Sequence, residues 1–375
     1  MLRTSLMILG GFVIAVTILP FFRSKAWWVR IWDFPRLQLA LLGALAGVGA
    51  VVSTEGSLSP GSWLFVAVLG GAVLYQAGFV WRYSRLAPLE VESSRSGNRP
   101  RLTVAVSNVL QTNRDSDRLI RVLTEADADV MLFVETNDWW REHLDVLLAT
   151  HPHTVQCALS NTYGMLLYSR LPLLDTSIDF LVQADVPSIQ AQLRLDDGTT
   201  VWLNCVHPRP PAPGESDESL ERDVELLLVG KRVCDASQPV VVCGDLNDVA
   251  WSRTTRLFQK TSGLVDPRKG RGMFSTFHAK FPVLRFPLDH ILHSTEFRLV
   301  EMRRLPYVGS DHFPVVASLS LEPDATSEQA APAPDAADKQ EAQATIAGGK
   351  SSGSPDTPFS RSATPCPVTG LHFPP

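Results

Sequence analysis

The stretch Val240-Val241-Val242-Cys243-Gly244-Asp245-Leu246-Asn247 runs from a β-rich apolar segment straight into a glycine, an acid and an amide. Two later segments share this grammar: Leu288-Asp289-His290 precedes Ile291-Leu292, and Ser310-Asp311-His312 precedes Phe313-Pro314-Val315-Val316. Each acid borders a run that reads as a buried strand, so the carboxylates project from strand ends where several strands can converge on one metal. That arrangement is expected of a metal-dependent hydrolase.

Working outward, short β-rich runs at 102–106, 130–134, 165–168, 189–195, 200–206, 240–243, 290–293 and 314–321 read as strands. Residues 115–126 and 217–233 carry apolar residues at helical spacing and read as amphipathic helices. Eight or more strands with interspersed helices imply two packed sheets with helices outside.

Polar residues recur where these strands stop. Asn108 follows the first and Glu135 the second, while His207 ends 201–206 and is followed by Pro208-Arg209-Pro210-Pro211, a stiff segment that holds Arg209 nearby. Taken one at a time, each is explained by turn or capping chemistry. Turn chemistry does not explain why strand-end polar residues recur at Asn108, Glu135, His207, Asp245, Asn247, Asp289, Asp311 and His312. Oxygen donors of this kind suit magnesium, which binds through one or two carboxylates plus substrate phosphate rather than a Cys/His cage.

The set resembles the endonuclease/exonuclease/phosphatase superfamily, over about 101–321 and in the family's order. The blocks are Ser-Asn-Val from 107, Val-Glu from 134, Tyr-Gly-Met-Leu-Leu-Tyr-Ser-Arg-Leu-Pro-Leu from 163, Val-His from 206, Gly-Asp-Leu-Asn from 244, Leu-Asp-His-Ile-Leu from 288 and Ser-Asp-His-Phe-Pro-Val from 310. The resemblance implies a four-layered α/β sandwich, two packed mixed β-sheets flanked by helices, that hydrolyses phosphodiesters or phosphomonoesters with Mg2+, or Mn2+ as a substitute. It implies that Asn108 and Glu135 hold the metal with Asp311 assisting, and that Asp289 orients His312. Asp245 would orient or deprotonate the attacking water, Asn247 and His207 would donate to phosphoryl oxygens, and Arg209 would contact substrate. Whether Asp245 or His312 is the base stays open. The family's aromatic hydroxyl beside the dyad is replaced by His290, which strand alternation directs into the core. No tyrosine is assigned to phosphate: Tyr163 and Tyr168 both flank that region.

Ahead of this domain, residues 5–22, 37–53 and 62–81 are apolar runs without an internal charge and read as three transmembrane helices. Trp27, Trp28, Trp32, Trp63 and Trp81 lie near their ends, and Gly43, Gly47, Gly70 and Gly71 inside them. Arg23, Lys25, Arg30 and Arg36 separate the first two runs, only Glu55 is charged between the second and third, and Arg82 and Arg85 follow. The asymmetry puts the N-terminus outside and the catalytic domain in the cytoplasm of an integral membrane protein, a bacterial inner-membrane one by type. The organisation expected is a membrane anchor over 1–82, a linker over 83–100, the catalytic domain over 101–321 and a disordered tail over 322–375, poor in large apolar residues. Five cysteines without metal-type spacing give no disulfide framework, and Cys205 and Cys243 read as core residues.

Residues 100–321 hold 22 Lys and Arg against 28 Asp and Glu, an acidic balance that argues against tight non-specific binding of duplex nucleic acid. Arg268, Lys269 and Arg271 form the one local basic cluster, of a kind usually just solvated. The partners expected are a phosphoester substrate, either a lipid headgroup or nucleic acid, and the membrane, with no obligate protein partner. A nuclease acting near the membrane is the alternative. A catalytically inactive scaffold on the same fold predicts lost ligands, whereas every expected polar position is filled.

Overall fold

The computed structural model describes residues 1–53, 59–95, 97 and 99–352. Glu55 and residues 353–375 of the expected tail lie outside them. The chain divides into two compact units, Met1–Pro88 with Pro211–Ser219 and Lys269–Gly272, and Leu89–Pro210 with Leu220–Arg268 and the remainder from Met273.

The first unit is helical: α1 (Leu2–Ile18), α2 (Trp27–Arg30), α3 (Arg36–Val52) and α4 (Pro60–Trp81). Two helices, Leu2–Phe22 and Pro60–Trp81, are long and apolar enough to cross a membrane. The expected second span is less simple, because Trp27–Asp33 and Arg36–Val52 meet at a 74° bend and make a third crossing only if counted together. Pro35 sits at that break, where its ring and missing N–H stop a continuous helix. The 17 residues of α3 span about 26 Å, short of a roughly 30 Å hydrocarbon layer. Val13, Val16, Leu39, Ala46 and Leu69 join α1, α3 and α4, and Gly43 marks a close approach to Val73, while Gly70 and Gly71 face open space. A buried polar chain runs through the same unit: Arg36 donates to Asp33 and to Gln76 Oε1 (2.9 Å), and Gln76 Nε2 donates to Thr17 Oγ1 (2.9 Å). Pro211–Ser219 joins this unit through backbone bonds from Trp27 to Asp217 and from Ser219 to Lys25.

The second unit holds two mixed sheets. One is six-stranded, ordered β10 (Phe297–Arg304), β11 (Val315–Leu321), β1 (Arg101–Asn108), β2 (Val130–Val134), β4 (Met165–Ser169), β3 (His153–Cys157). The other is five-stranded, ordered β5 (Leu173–Asp179), β6 (Ser188–Arg194), β7 (Thr200–Val206), β8 (Val240–Asp245), β9 (Asp289–His293). Alternate residues of both sheets, among them Val104, Val106, Leu132, Leu203, Val241, Ile291 and Leu319, form one core between them. The outward alternates Ala105, Met131 and Phe133 bury under α5 (Ser116–Ala126) and α6 (Asp138–Leu144). Val240, Val242 and Leu292 bury under α7 (Leu220–Cys234) and α8 (Arg253–Ser262). The result is the expected helix, sheet, sheet, helix sandwich.

Every strand and helix expected from the sequence is present. Not anticipated were β3, β5, β10, α6 and α8; β5, for example, has no buried position and half of β10 is exposed, so their apolar signal is weak. Two boundaries also differ. Val91 is fully buried in the inter-sheet core and Ser93 bridges Leu299, so part of the supposed linker belongs to the domain. The expected disordered tail instead carries a turn at Pro323–Ser327 and a helix, α9 (Ala336–Ser352), whose Ala342 covers Leu227 and Leu257. Its charges answer those of α8, with Lys260 2.6 Å from Asp338 and Arg253 paired with Glu341. Composition hid this because the helix buries few apolar residues and is held through charge.

Candidate active site

Strand register assembles the site. In the six-stranded sheet β1 and β2 are parallel with Asn108 beside Val134, which puts Glu135 just past Asn108. In the other sheet Val206 pairs with Gly244 and Asp245 with Asp289, so His207, Asp245 and Asp289 leave neighbouring strand ends together. Gly244 is required at its place: its φ of 143° lies in the left-handed half of the map, and a Cβ there would stand 1.9 Å from the Val206 carbonyl oxygen. Glu135 (φ 60°) and Asn247 (φ 50°) also take left-handed backbone, unusual for non-glycine residues and a feature that clusters at functional sites. The Asn247 turn is held from behind, since the buried Arg222 donates to Asn247 O (2.9 Å) and pairs with Asp248 (3.0 Å).

A continuous polar chain joins the two sheets. Asn108 Nδ2 donates to Glu135 Oε1 (2.7 Å) and to Asp245 Oδ2 (3.1 Å). His312 Nε2 faces the same Asp245 oxygen at 3.6 Å, and His312 Nδ1 donates to Asp289 Oδ2 at 2.8 Å. Asn247 attaches through its backbone N–H to Asp245 Oδ1 (2.9 Å), while its side chain donates to Pro208 O (2.9 Å). His207 Nδ1 lies 3.3 Å from Asp245 O, and its ring is 5.6 Å from that of Tyr163. Arg209 lies at one remove: its guanidinium is 4.9 Å from the Tyr163 ring and bonds Asp185 (2.8 Å). Asp311 adjoins His312 and adds to the negative field at Glu135.

The electrostatics divide these groups. Burial pushes the Asp245 carboxyl up, but His312, His207, the Asn247 amide and Asn108 outweigh it and hold it below its ordinary value. Burial opposes charge on His312, yet Asp289 and Asp245 overcome it and raise its pKa to about 10. Burial raises the Asp289 carboxyl as well, with His312 only partly offsetting it, so the two groups share a proton across their 2.8 Å contact. Burial also raises Glu135, with His207 and Asn108 only partly offsetting it.

Asp245, Asp289 and His312 offer ligand atoms within 4.8 Å of one another. They are also joined as a hydrogen-bonded relay, with His312 Nδ1 on Asp289 and Nε2 toward Asp245. Glu135 fits a divalent cation better. It is a half-buried carboxylate whose hydrogen bonds come from the Asn108 amide and the Gln111 N–H (3.3 Å), and a cation beside it would favour its charged form. Asn108, Glu135 and Asp311 together offer the oxygen donors that magnesium favours.

The model of the endonuclease/exonuclease/phosphatase family matches residues 104–312, more than half of the chain and the span that carries this relay. The chain belongs to that family. Among solved structures, this family member is similar to an endonuclease/exonuclease/phosphatase from Beutenbergia cavernae DSM 12333, with 18% identity, 60% of this chain and 72% of that one covered and a TM-score of 0.50. It is also similar to D. rerio TDP2 complexed with a single strand DNA product, with 16% identity, 59% and 99% covered and a TM-score of 0.50. At such identities the likeness is one of fold. The curated proteins give no match.

Thr276 carried no signal in the sequence, and the fold tells the two flanking tyrosines apart. Thr276 Oγ1 accepts from Asp289 N–H (3.2 Å), and Tyr163 is the tyrosine that reaches the site, whereas Tyr168 bonds Asp145 behind the sheet. The basic cluster at 268–271 is not a solvated patch. Arg268 is wholly buried, paired with Asp266 at 2.9 Å, and donates to Asp289 O (3.3 Å) and His290 Nδ1 (2.7 Å). His290 points inward as expected, donating through Nε2 to Asp248 O (3.0 Å), and burial with Arg268 beside it drives its pKa down to about 3.

Proposed function

We propose that this chain is a membrane-embedded, metal-dependent phosphoesterase that cleaves a phosphodiester or phosphomonoester by attack of water. The observation that carries the reading is the polar path from the half-buried Glu135 through Asn108 and Asp245 to the His312–Asp289 pair, with His312 3.6 Å from Asp245. Asn108, Glu135 and Asp311 would hold Mg2+, with Mn2+ as a substitute, and the ion would neutralise charge developing on the phosphoryl oxygens. Asp245, ionised and already aligned by Asn247 N–H and Asn108, orients the water and accepts its proton. His312, cationic and fixed by Asp289, faces the negative charge that builds in the transition state. His207 and Asn247 line the same wall, and Arg209 contacts substrate beyond Tyr163.

The two long apolar helices support an integral membrane protein, of bacterial inner-membrane type, with its catalytic domain, taken as 101–321, on the cytoplasmic side. With Arg30 and Arg36 buried against Asp33, the topology argument rests on Arg23, Lys25, Arg82 and Arg85. Tethering raises the effective concentration of membrane-proximal esters, and the acidic domain disfavours duplex, so a lipid headgroup ester is the preferred substrate. Full-length protein in detergent micelles, assayed with magnesium against phospholipid, a generic phosphodiester and plasmid, tests this. Release of the phospholipid headgroup supports it, whereas plasmid nicking abolished by Asp245→Ala, with phospholipid left intact, establishes the nuclease alternative instead.

A further inference from the structure

Residues 277–286 form a short braced excursion whose base is part of the site. Phe277 and Phe286 exchange backbone hydrogen bonds, His278 N–H donates to Leu284 O (3.0 Å), and Leu284 N–H donates to Phe281 O (3.0 Å). Ala279 N–H donates to Asp311 O (2.6 Å), the Phe277 ring lies 5.0 Å from that of His312, and Thr276, just before the excursion, accepts from Asp289. Tip and catalytic groups are thus one backbone-bonded piece.

The tip is apolar and stands in solvent. Phe281, Val283 and Leu284 are 57%, 73% and 51% exposed, with Pro282 exposed between them. An exposed run of four apolar residues on a rigid turn is not ordinary surface. Cations flank it. Lys280 precedes the tip and Arg285 follows it, and at its base Arg304 joins Arg285 on the Phe313 ring, their guanidiniums 4.4 and 5.1 Å from that ring. Their hydrogen bonds go to backbone carbonyls, Ala279 O (3.0 Å) and Ser275 O (3.0 Å), and among the described residues neither has a carboxylate partner. Arg285 Nε is buried without a hydrogen bond, and partial burial followed by the neighbouring Arg285 holds the Arg304 pKa below its ordinary value. The cluster is short of negative charge.

We infer that the 281–284 tip inserts into the interface of a bilayer whose anionic headgroups are met by Lys280, Arg285 and Arg304, seating Asp311 and His312 at headgroup depth. Charge and composition select this occupant: an apolar point flanked by unmatched cations matches an anionic interface, with hydrocarbon below and phosphate around it. Four residues are far fewer than the roughly 20–30 a side of a stable protein interface. The inference extends the membrane reading above, and does not depend on the phosphoesterase reading because its readout is not turnover.

The test uses the full chain with Cys234→Ser and Cys366→Ser, a single Val283→Cys carrying an environment-sensitive NBD dye, and reconstitution into phosphatidylcholine vesicles with or without phosphatidylglycerol. Flotation of the protein with the vesicles reports on the membrane helices. Blue-shifted emission, quenched by lipids spin-labelled near the headgroup and enhanced by phosphatidylglycerol, is expected. Arg285→Glu with Arg304→Glu should return emission toward that in water, and a dye at Val146→Cys, exposed elsewhere on the domain, should stay water-like throughout. A Leu284→Cys label reports the same depth should the Val283 variant fold poorly. Protein that floats while both tip dyes remain water-like overturns the inference and leaves the membrane reading standing. Equal burial in neutral and anionic vesicles overturns the assignment of the cations, and failure to float contradicts the membrane reading and the docking together.

Discussion

His312 Nδ1 donates a 2.8 Å hydrogen bond to Asp289 Oδ2 inside a wholly buried pair, and the free edge of the same imidazole faces Asp245. Two strand ends and a loop from the other sheet's last strand are needed to make this contact, so it records the packing of the sandwich as well as its chemistry. Asp289→Asn removes the charge that keeps His312 cationic but preserves the shape. We expect a loss in turnover on the order of 10²- to 10⁴-fold with the substrate KM little changed, measured by steady-state kinetics on a soluble phosphodiester.

Asp245 is tied to Asn108, His312 and the Asn247 N–H, so Asp245→Asn keeps its volume while removing the proton acceptor. Turnover should fall by at least as much as in Asp289→Asn, and the double variant should be scarcely slower than the worse single one, since the residues act as one unit. Additive losses would separate them.

The buried Arg268 holds Asp266, the Asp289 carbonyl and His290 together. Arg268→Met removes the guanidinium that meets both Asp266 carboxylate oxygens, the Asp289 carbonyl and His290. Stability should drop by about 3–5 kcal/mol in urea unfolding of the full chain, the range for breaking one side of a buried pair.

Glu225 on α7 is fully buried, its carboxyl bonded to Ser188 Oγ (2.8 Å), and burial raises its pKa from 4.5 to about 8. The folded state therefore keeps a proton that the unfolded state releases. Stability from this group is complete below pH 4.5, falls as pH rises toward about 8 and levels off above it, by an amount on the order of a few kcal/mol. Glu225→Gln should flatten that part of the stability profile and raise stability at pH 9 relative to the parent.

Much of this was legible beforehand, for identifiable reasons. Alternating and continuous apolar runs mark strands whose faces are buried, which is why β1, β2, β7, β8 and β11 stand out, while the half-exposed β5 and β10 do not. The residues that meet at the candidate site stood out in the sequence because a polar residue ending a buried strand has few structural reasons to be there. Thr276, acting from a distance along the chain, carried no such mark, and only the fold tells Tyr163 from Tyr168. Arg268 misled because a run of cations looks solvated until its partner, two residues earlier, is seen to be buried with it. The tail misled for a related reason, since composition counts apolar residues and α9 is held by Arg253 and Lys260.

The central claim is that Glu135 and its neighbours hold a divalent ion on which phosphoester hydrolysis depends. Full-length protein stripped with EDTA, assayed on a soluble phosphodiester and titrated with Mg2+ or Mn2+, addresses it directly. The account predicts that stripping abolishes turnover, that either ion restores it, and that Glu135→Gln needs far more metal for the same rate. Turnover that survives EDTA, or a Glu135→Gln variant with the parent's metal dependence, would contradict it.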